Sequence, residues 1–247
     1  MADVLMAGPF VGELGHELFC WQGRLRWLAK HNYERVHVLC RHGHEFLYED
    51  FATFSIPNGE ASGARLRGVD FLCPGREFLK YRPNWSDAKL ESVGFNQQCF
   101  RHLRQHENPG DTIVIHARNR KLRSFDNWPK ERWDALCVEL SRYGRVAAIG
   151  TEEAAYCPRG AIDVRGLPLV QTLRDHLLLA KLAIGTSSGP MHLASLGGVS
   201  HVVITAEKNR ARYERHWNPF NTPVAIAPGG WQPTVHDVQE TIEAMLC

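Results

Sequence analysis

The sequence predicts an α/β fold: two Rossmann-like lobes, each a parallel sheet covered by helices, with a cleft between them. Three observations carry that prediction. Short apolar runs alternate with runs of helical spacing along much of the 247-residue chain, the pattern of parallel sheets with helices on both faces. Asn108-Pro109-Gly110-Asp111 is the clearest punctuation, and it divides the chain into lobes 1–108 and 109–247. Between Ala183 and Val203 the order is apolar run, small polar loop, helix, apolar run.

In the first lobe, Ala2 to Ala7 reads as a strand that breaks at Gly8-Pro9. A helix is expected from Gly15 or His16 to about His31, with Leu18, Trp21, Leu25 and Leu28 on one buried face. Arg35 to Cys40 reads as a strand and His44 to Phe51 as a short helix. Asn58 to Gly68 reads as a loop, Val69 to Cys73 as a strand, and Ser86 to Glu107 as a long helix capped by Ser86. In the second lobe, Thr112 to Ala117, Val146 to Ile149, Leu182 to Ile184, His201 to Thr205 and Val224 to Ala227 read as strands. Pro129 to Tyr143, Leu169 to Ala180, the segment opening at Pro190, and Thr234 to Leu246 read as helices. Gly144 ends the first of them, and Gly197-Gly198 stops the third where a left-handed residue is wanted. There is no internal repeat.

Composition excludes several classes. Apolar content of 44% and charged content of 23% suit a soluble globular protein. A net charge of +2 confines any nucleic-acid contact to a local patch. No apolar run reaches the ~20 residues that span a bilayer, and the start lacks the pattern of a secretory signal, so the expected location is cytoplasmic. The seven cysteines are scattered, odd in number and without a CxxC pair, which suggests neither a zinc site nor a disulfide framework.

In open parallel sheets, ligands bind beyond the carboxyl ends of the strands. Three polar segments fall there: Gly12 to Glu17, Arg118 to Arg123 and Gly185 to His192. In the last, Thr186, Ser187, Ser188 and Gly189 form a small-residue loop before a helix that opens with Pro190, Met191 and His192. The first N–H groups of a helix lack intrahelical partners and sit at the positive end of its dipole. A phosphate or diphosphate is the natural guest; the alternative is a capped turn with no ligand. Arg118, Arg120, Lys121 and Arg123 crowd the loop after the second lobe's first strand. Arginine forks match phosphate oxygens and lysine adds a point charge; the alternative is a solvated basic loop. Glu13, between Gly12 and Gly15, or His16 is placed to act as general base. Glu17 reads instead as favourable charge at a helix N-terminus. The basic and aromatic segment Glu207 to Phe220, with Tyr213 and Trp217, reads as a surface loop or as a grip on a base or acceptor. There is no GxGxxG and no DxD-like acidic pair, so neither a nicotinamide cofactor nor a metal is expected.

The stretch GTSSGPMHLASLGG, Gly185 to Gly198, resembles the loop-helix signature of heptosyltransferase-like glycosyltransferases of the GT-B fold. NWPKERWDAL is similar to the same family's second lobe, and GELGHEL stands where the family's first-lobe glycine loop holds an acidic base. The likeness covers about residues 111 to 205. It implies an inverting, metal-independent enzyme with a nucleotide-sugar donor. Ser187 to His192 match the donor-phosphate turn, Arg118 and Lys121 are similar in placement to its basic contacts, and Glu13 stands at the base position. Thr186-Ser187 departs from the Asp of many relatives. The acceptor is a glycan or, alternatively, a nucleic-acid base or nucleotide. Two rivals remain: a sugar-nucleotide epimerase on the same scaffold, and a non-catalytic module binding nucleic acid or glycan.

Overall fold

The computed structural model describes residues 4–8, 10, 12–56, 77–79, 97–103, 110–167 and 170–246. The chain divides into two compact units, Met1–Arg101 and His102–Cys247. Asn108 and Pro109, the break expected from the sequence, lie outside the described residues, as do Asn58 to Gly68 and Val69 to Cys73.

The first unit holds a parallel sheet in the order β3-β2-β1-β4, from β1 (Val4–Ala7), β2 (Arg35–Leu39), β3 (Thr53–Ser55) and β4 (Glu77–Leu79). Leu5 faces Val36 on one side of β1 and Glu77 on the other. β3 carries no apolar alternation, because all three of its residues are exposed at the edge. The expected first helix forms in three pieces. They are α1 (Leu14–His16), a π-helical turn (Glu17–Trp21) and α2 (Gln22–His31). The wider turn buries five successive side chains, Glu17 to Trp21, where an unbroken α-helix presents only a stripe. Leu18, Trp21, Leu25 and Leu28 are all buried, as their spacing predicts.

The long helix expected over Ser86 to Glu107 is absent from 98–103, whose backbone is irregular. That segment makes its bonds to other elements instead. The Cys99 N–H donates to the Gly23 carbonyl on α2 at 2.9 Å. Gly23 lacks a side chain where one would meet the Phe100 ring.

The second unit is built on a parallel sheet in the order β11-β10-β9-β5-β6-β8. Its strands are β5 (Thr112–Arg118), β6 (Arg145–Ala148), β7 (Ala155–Tyr156), β8 (Ile162–Asp163), β9 (Leu182–Thr186), β10 (His201–Ile204) and β11 (Val224–Ile226). The two-residue β7 pairs antiparallel with the end of β5; β7 and β8 are too short to leave a sequence pattern. The helices are α3 (Lys130–Leu140), α4 (Val170–Leu178), α5 (Gly189–Gly197) and α6 (Val235–Leu246).

β9 does not stop at Gly185 as expected. It runs on to Thr186, because the missing side chain lets β5 come close: a Cβ at Gly185 would meet the His116 carbonyl at 3.1 Å. Gly198 ends α5 in the left-handed conformation, φ 65°. The core packs Ile113, Ile115, Leu182, Ile184, Val202 and Ile204 from the sheet against Trp133, Leu136 and Leu140 of α3 and Val238 and Ile242 of α6. Trp128 and Trp133 meet edge to face inside it, with ring centres 4.8 Å apart and planes at 90°. No described helix is long and apolar enough to cross a membrane.

Candidate functional site

Chain order and sheet order together mark a candidate site in the second unit. From β5 the chain adds β6 and β8 on one side, then returns to place β9 against β5 on the other. Ligands of such sheets bind where the winding reverses, beyond the carboxyl ends of the strands. β5 ends at Arg118 and β9 at Thr186. The reversal therefore brings together the two segments singled out in the sequence, 118–123 and 186–192.

The start of α5 is left without a side-chain cap. Ser188 is the N-cap residue in extended conformation, yet its side chain makes no cap bond. Its hydroxyl lies 2.9 Å from His116 Nδ1. The Ser188 N–H donates to the Tyr213 hydroxyl at 3.2 Å, and that hydroxyl donates to Ser187 Oγ at 2.9 Å. The Ser187 N–H donates to the Ile204 carbonyl. The remaining first-turn amides, Gly189 and Met191, have no intrahelical partner; Pro190 has no N–H. Thr186 is fully buried, and its Oγ1 has no hydrogen-bond partner among the described residues.

Arg118 ties the two segments together. Its Nη1 donates to the Ser187 carbonyl at 2.6 Å and its Nη2 to the Asp126 carbonyl at 3.1 Å. The buried Asp126 carboxylate takes three guanidinium groups on one oxygen: Arg118 at 3.3 Å, Arg120 at 3.2 Å and Arg123 at 3.0 Å. Asp126 Oδ1 and the Nε atoms of Arg118 and Arg120 are buried without hydrogen-bond partners among the described residues. One negative charge against three positive ones leaves the cluster cationic. Burial, with Arg120 beside it, pulls the Arg118 guanidinium down to about 10, which leaves it charged at neutral pH. The Trp231 ring lies 5.4 Å from that guanidinium. Lys121 is exposed.

His116 is buried on β5, and burial, followed by the Arg118 charge, pulls its pKa down to about 4. At neutral pH it is an uncharged partner for Ser188. His192 is 3% exposed. Its ring stacks on Tyr213 at 4.6 Å and 15°, meets Trp217 edge-on at 4.5 Å, and brings Nε2 within 3.4 Å of the Tyr213 hydroxyl. Tyr213 and Trp217 are buried, and the stretch Arg212–His216 is a π-helical turn. The surface-loop reading of these two aromatics is therefore corrected: they face the helix that carries His192.

In the first unit, Glu13 precedes α1. It is exposed, and its carboxylate has no partner among the described residues. Its carbonyl accepts the N–H groups of His16 and Glu17 at 3.1 and 3.2 Å. His16 is half-buried in the same turn. Glu17 is not a surface charge at a helix end. It is fully buried, it accepts the Tyr48 hydroxyl at 2.8 Å and pairs with Arg41, and His44 Nδ1 lies 2.8 Å away. Burial alone would raise its pKa; His44 and Arg41 overcome that and bring it to about 2.

Sequence reasoning missed His116, Asp126 and the inward role of Tyr213. Asp126 left a signal, as the lone carboxylate within a basic run; His116 left a weaker one, as a histidine inside an apolar strand. Among the described residues no cluster of His, Cys, Asp and Glu could hold a metal ion.

No protein-family model matches the chain, and no curated protein matches it in sequence. Solved structures do match. With E. coli heptosyltransferase WaaC with ADP the TM-score is 0.61 at 14% identity, covering 98% of this chain and 99% of that one. With TibC from enterotoxigenic E. coli H10407, an iron-containing dodecameric glycosyltransferase also solved with ADP-D-beta-D-heptose, it is 0.58 at 17% identity, covering 94% of this chain. The chain spans 62% of the TibC length. With the glycosyl transferase family 9 structure from Veillonella parvula DSM 2008 it is 0.57 at 10% identity, covering 100% of this chain and 90% of that one. The chain is thus built on the GT-B-like fold of the heptosyltransferase structures.

Proposed function

We propose that the chain is a glycosyltransferase that moves a sugar from a nucleotide-diphosphate sugar to an acceptor hydroxyl. The observation that carries the proposal is the α5 turn, with an N-cap side chain spent on His116 and a cationic cluster bound to it through Arg118. An uncapped helix start beside surplus positive charge suits a diphosphate. The fold supports the same reading, since WaaC was solved with ADP and TibC with ADP-D-beta-D-heptose.

In this reading residues 109–247 hold the donor and residues 1–108 take the acceptor, in the cytoplasm. Thr186 to His192 and Arg118 bound the diphosphate, with Arg120 and Lys121 at its outer edge. The acceptor oxygen attacks the anomeric carbon while the bond from that carbon to the diphosphate breaks. The bonding electrons pass to the leaving phosphate oxygen, whose growing charge the turn and the arginines stabilise. The acceptor proton goes to Glu13, or failing it His16. Attack opposite the leaving group inverts the anomeric centre, and the arginines supply the charge that a metal otherwise would.

The test is a thermal-shift screen with ADP, GDP, UDP and their sugars. A ligand bound only by the native state raises Tm by mass action. We expect at least one of them to raise it, with the rise reduced in Arg118→Ala and a product formed that Glu13→Gln abolishes. A protein whose Tm no nucleotide moves at millimolar concentration does not carry this donor site.

A further inference from the structure

Among the described residues, the two most exposed large apolar side chains are Leu122, at 79%, and Phe125, at 64%. They sit three positions apart on one loop, and Lys121 to Phe125 are all exposed. Isolated exposed leucines are common on protein surfaces; a pair at one loop tip beside a cluster of cations is not the same thing.

The loop is built rather than slack. Asn127 closes its base, with Oδ1 accepting the Arg120 N–H at 3.3 Å and Nδ2 donating to the Arg120 carbonyl at 2.8 Å. Asp126 clamps Arg118, Arg120 and Arg123 from beneath. Arg123 adopts the left-handed conformation, φ 58°, and Ser124–Asp126 form a 3-10 turn. The Arg123 guanidinium lies 5.6 Å from the Phe125 ring. The scaffold thus holds two apolar side chains in water on a braced loop. Covering them would remove apolar surface from water, which is favourable.

We propose that this loop docks the protein on an anionic lipid bilayer, with Leu122 and Phe125 inserted at the level of the acyl boundary and Arg123 among the headgroups. The charge selects the sign of the surface: three guanidinium groups share the one Asp126 carboxylate, and the exposed one of them, Arg123, lies beside the Phe125 ring. The leucine selects its nature. A base gives a stacking partner to Phe125 but nothing to Leu122, which has no π face, whereas hydrocarbon rewards both. Apolar insertion combined with juxtaposed basic charge is the physics of reversible interfacial binding. The inference does not depend on the glycosyltransferase reading.

The experiment is co-sedimentation of the full chain with phosphatidylcholine vesicles, with and without phosphatidylglycerol, at low and high salt. Binding is expected to the anionic vesicles only and to weaken with salt. Leu122→Ser with Phe125→Ser should lower vesicle affinity about tenfold or more while Tm stays unchanged, since neither side chain is packed. Overturning results are equally concrete: no sedimentation with anionic vesicles, binding that the double variant leaves intact, or a double variant that binds vesicles normally but loses affinity for single-stranded DNA or for the donor nucleotide. The nucleotide outcome would assign the loop tip to the donor site, and the DNA outcome would assign it to nucleic acid.

Discussion

The Tyr213 hydroxyl accepts the Ser188 N–H and donates to Ser187 Oγ, so a single oxygen fixes both serines of the α5 turn. Tyr213→Phe keeps the ring stacked on His192 and removes only that oxygen. The expected cost is about 1 kcal/mol of stability, with a larger proportional loss in nucleotide affinity, read by urea unfolding and by ligand titration of the same samples. An affinity unchanged from the parent would show that the turn does not need this brace. Asp126 holds three arginines. Asp126→Asn leaves the buried Arg118 without its carboxylate and should cost about 3 kcal/mol, visible as a lowered denaturation midpoint. That Arg118 and the 187–188 turn would stand at strand ends was legible in the sequence, because the end of a strand is written locally. Tyr213 was not, because its role depends on a chain reversal that places position 213 against position 188. His116 was hidden for the same reason: its partner is 72 positions away.

Two glycines that come after helices separate local conformation from packing. Gly144 follows α3 at φ 154°, and a Cβ there would overlap the Asp111 carbonyl oxygen. Gly198 follows α5 at φ 65°, and a Cβ there would overlap the His102 ring. A backbone carbonyl in a sheet connection cannot yield, while a ring can rotate. Gly144→Ala should therefore destabilise by about 3 kcal/mol or more, and Gly198→Ala by about 1–2 kcal/mol. Equal losses in thermal unfolding would refute that ordering. Gly198 was readable as a stop, since a helix that ends in the left-handed region advertises it; Gly144 is not the stop it was read as, because α3 already gives way at Ser141, in the right-handed region. The residues at 98–103 misled, because the N–H groups of Cys99 and Leu103 serve the Gly23 and Leu196 carbonyls rather than a helix of their own. The π turn at Glu17–Trp21 left only a run of apolar residues too dense for one helical stripe.

At the scale of the molecule, acid should act through buried groups. Burial pulls His116 and His201 down to about 4 from the ordinary 6.5. The unfolded chain takes up these protons near pH 6.5, and the native state resists until about 4. Stability is therefore complete above 6.5 and falls as pH drops through that window, by about 1.4 kcal/mol per pH unit for each histidine. Glu17 acts lower, losing its stabilisation between about 4.5 and 2 as its bonds to His44 and Arg41 fail. Urea midpoints taken from pH 7.5 to 4.5 test the histidine part, and a flat profile would refute it. The α/β class and most second-unit elements were legible, because each strand and helix carries its own hydrophobic period. The order β11-β10-β9-β5-β6-β8 was not, since no local pattern says which strands are neighbours. One feature of that core also has an optical side. Trp128 and Trp133 are two identical chromophores in near contact with perpendicular planes. Excitation is shared between them, and a shared excitation in a chiral pair gives circular-dichroism bands of opposite sign. Replacing either indole by phenylalanine would erase the pair, so this core reports its own melting in ultraviolet light, separately from the helices around it.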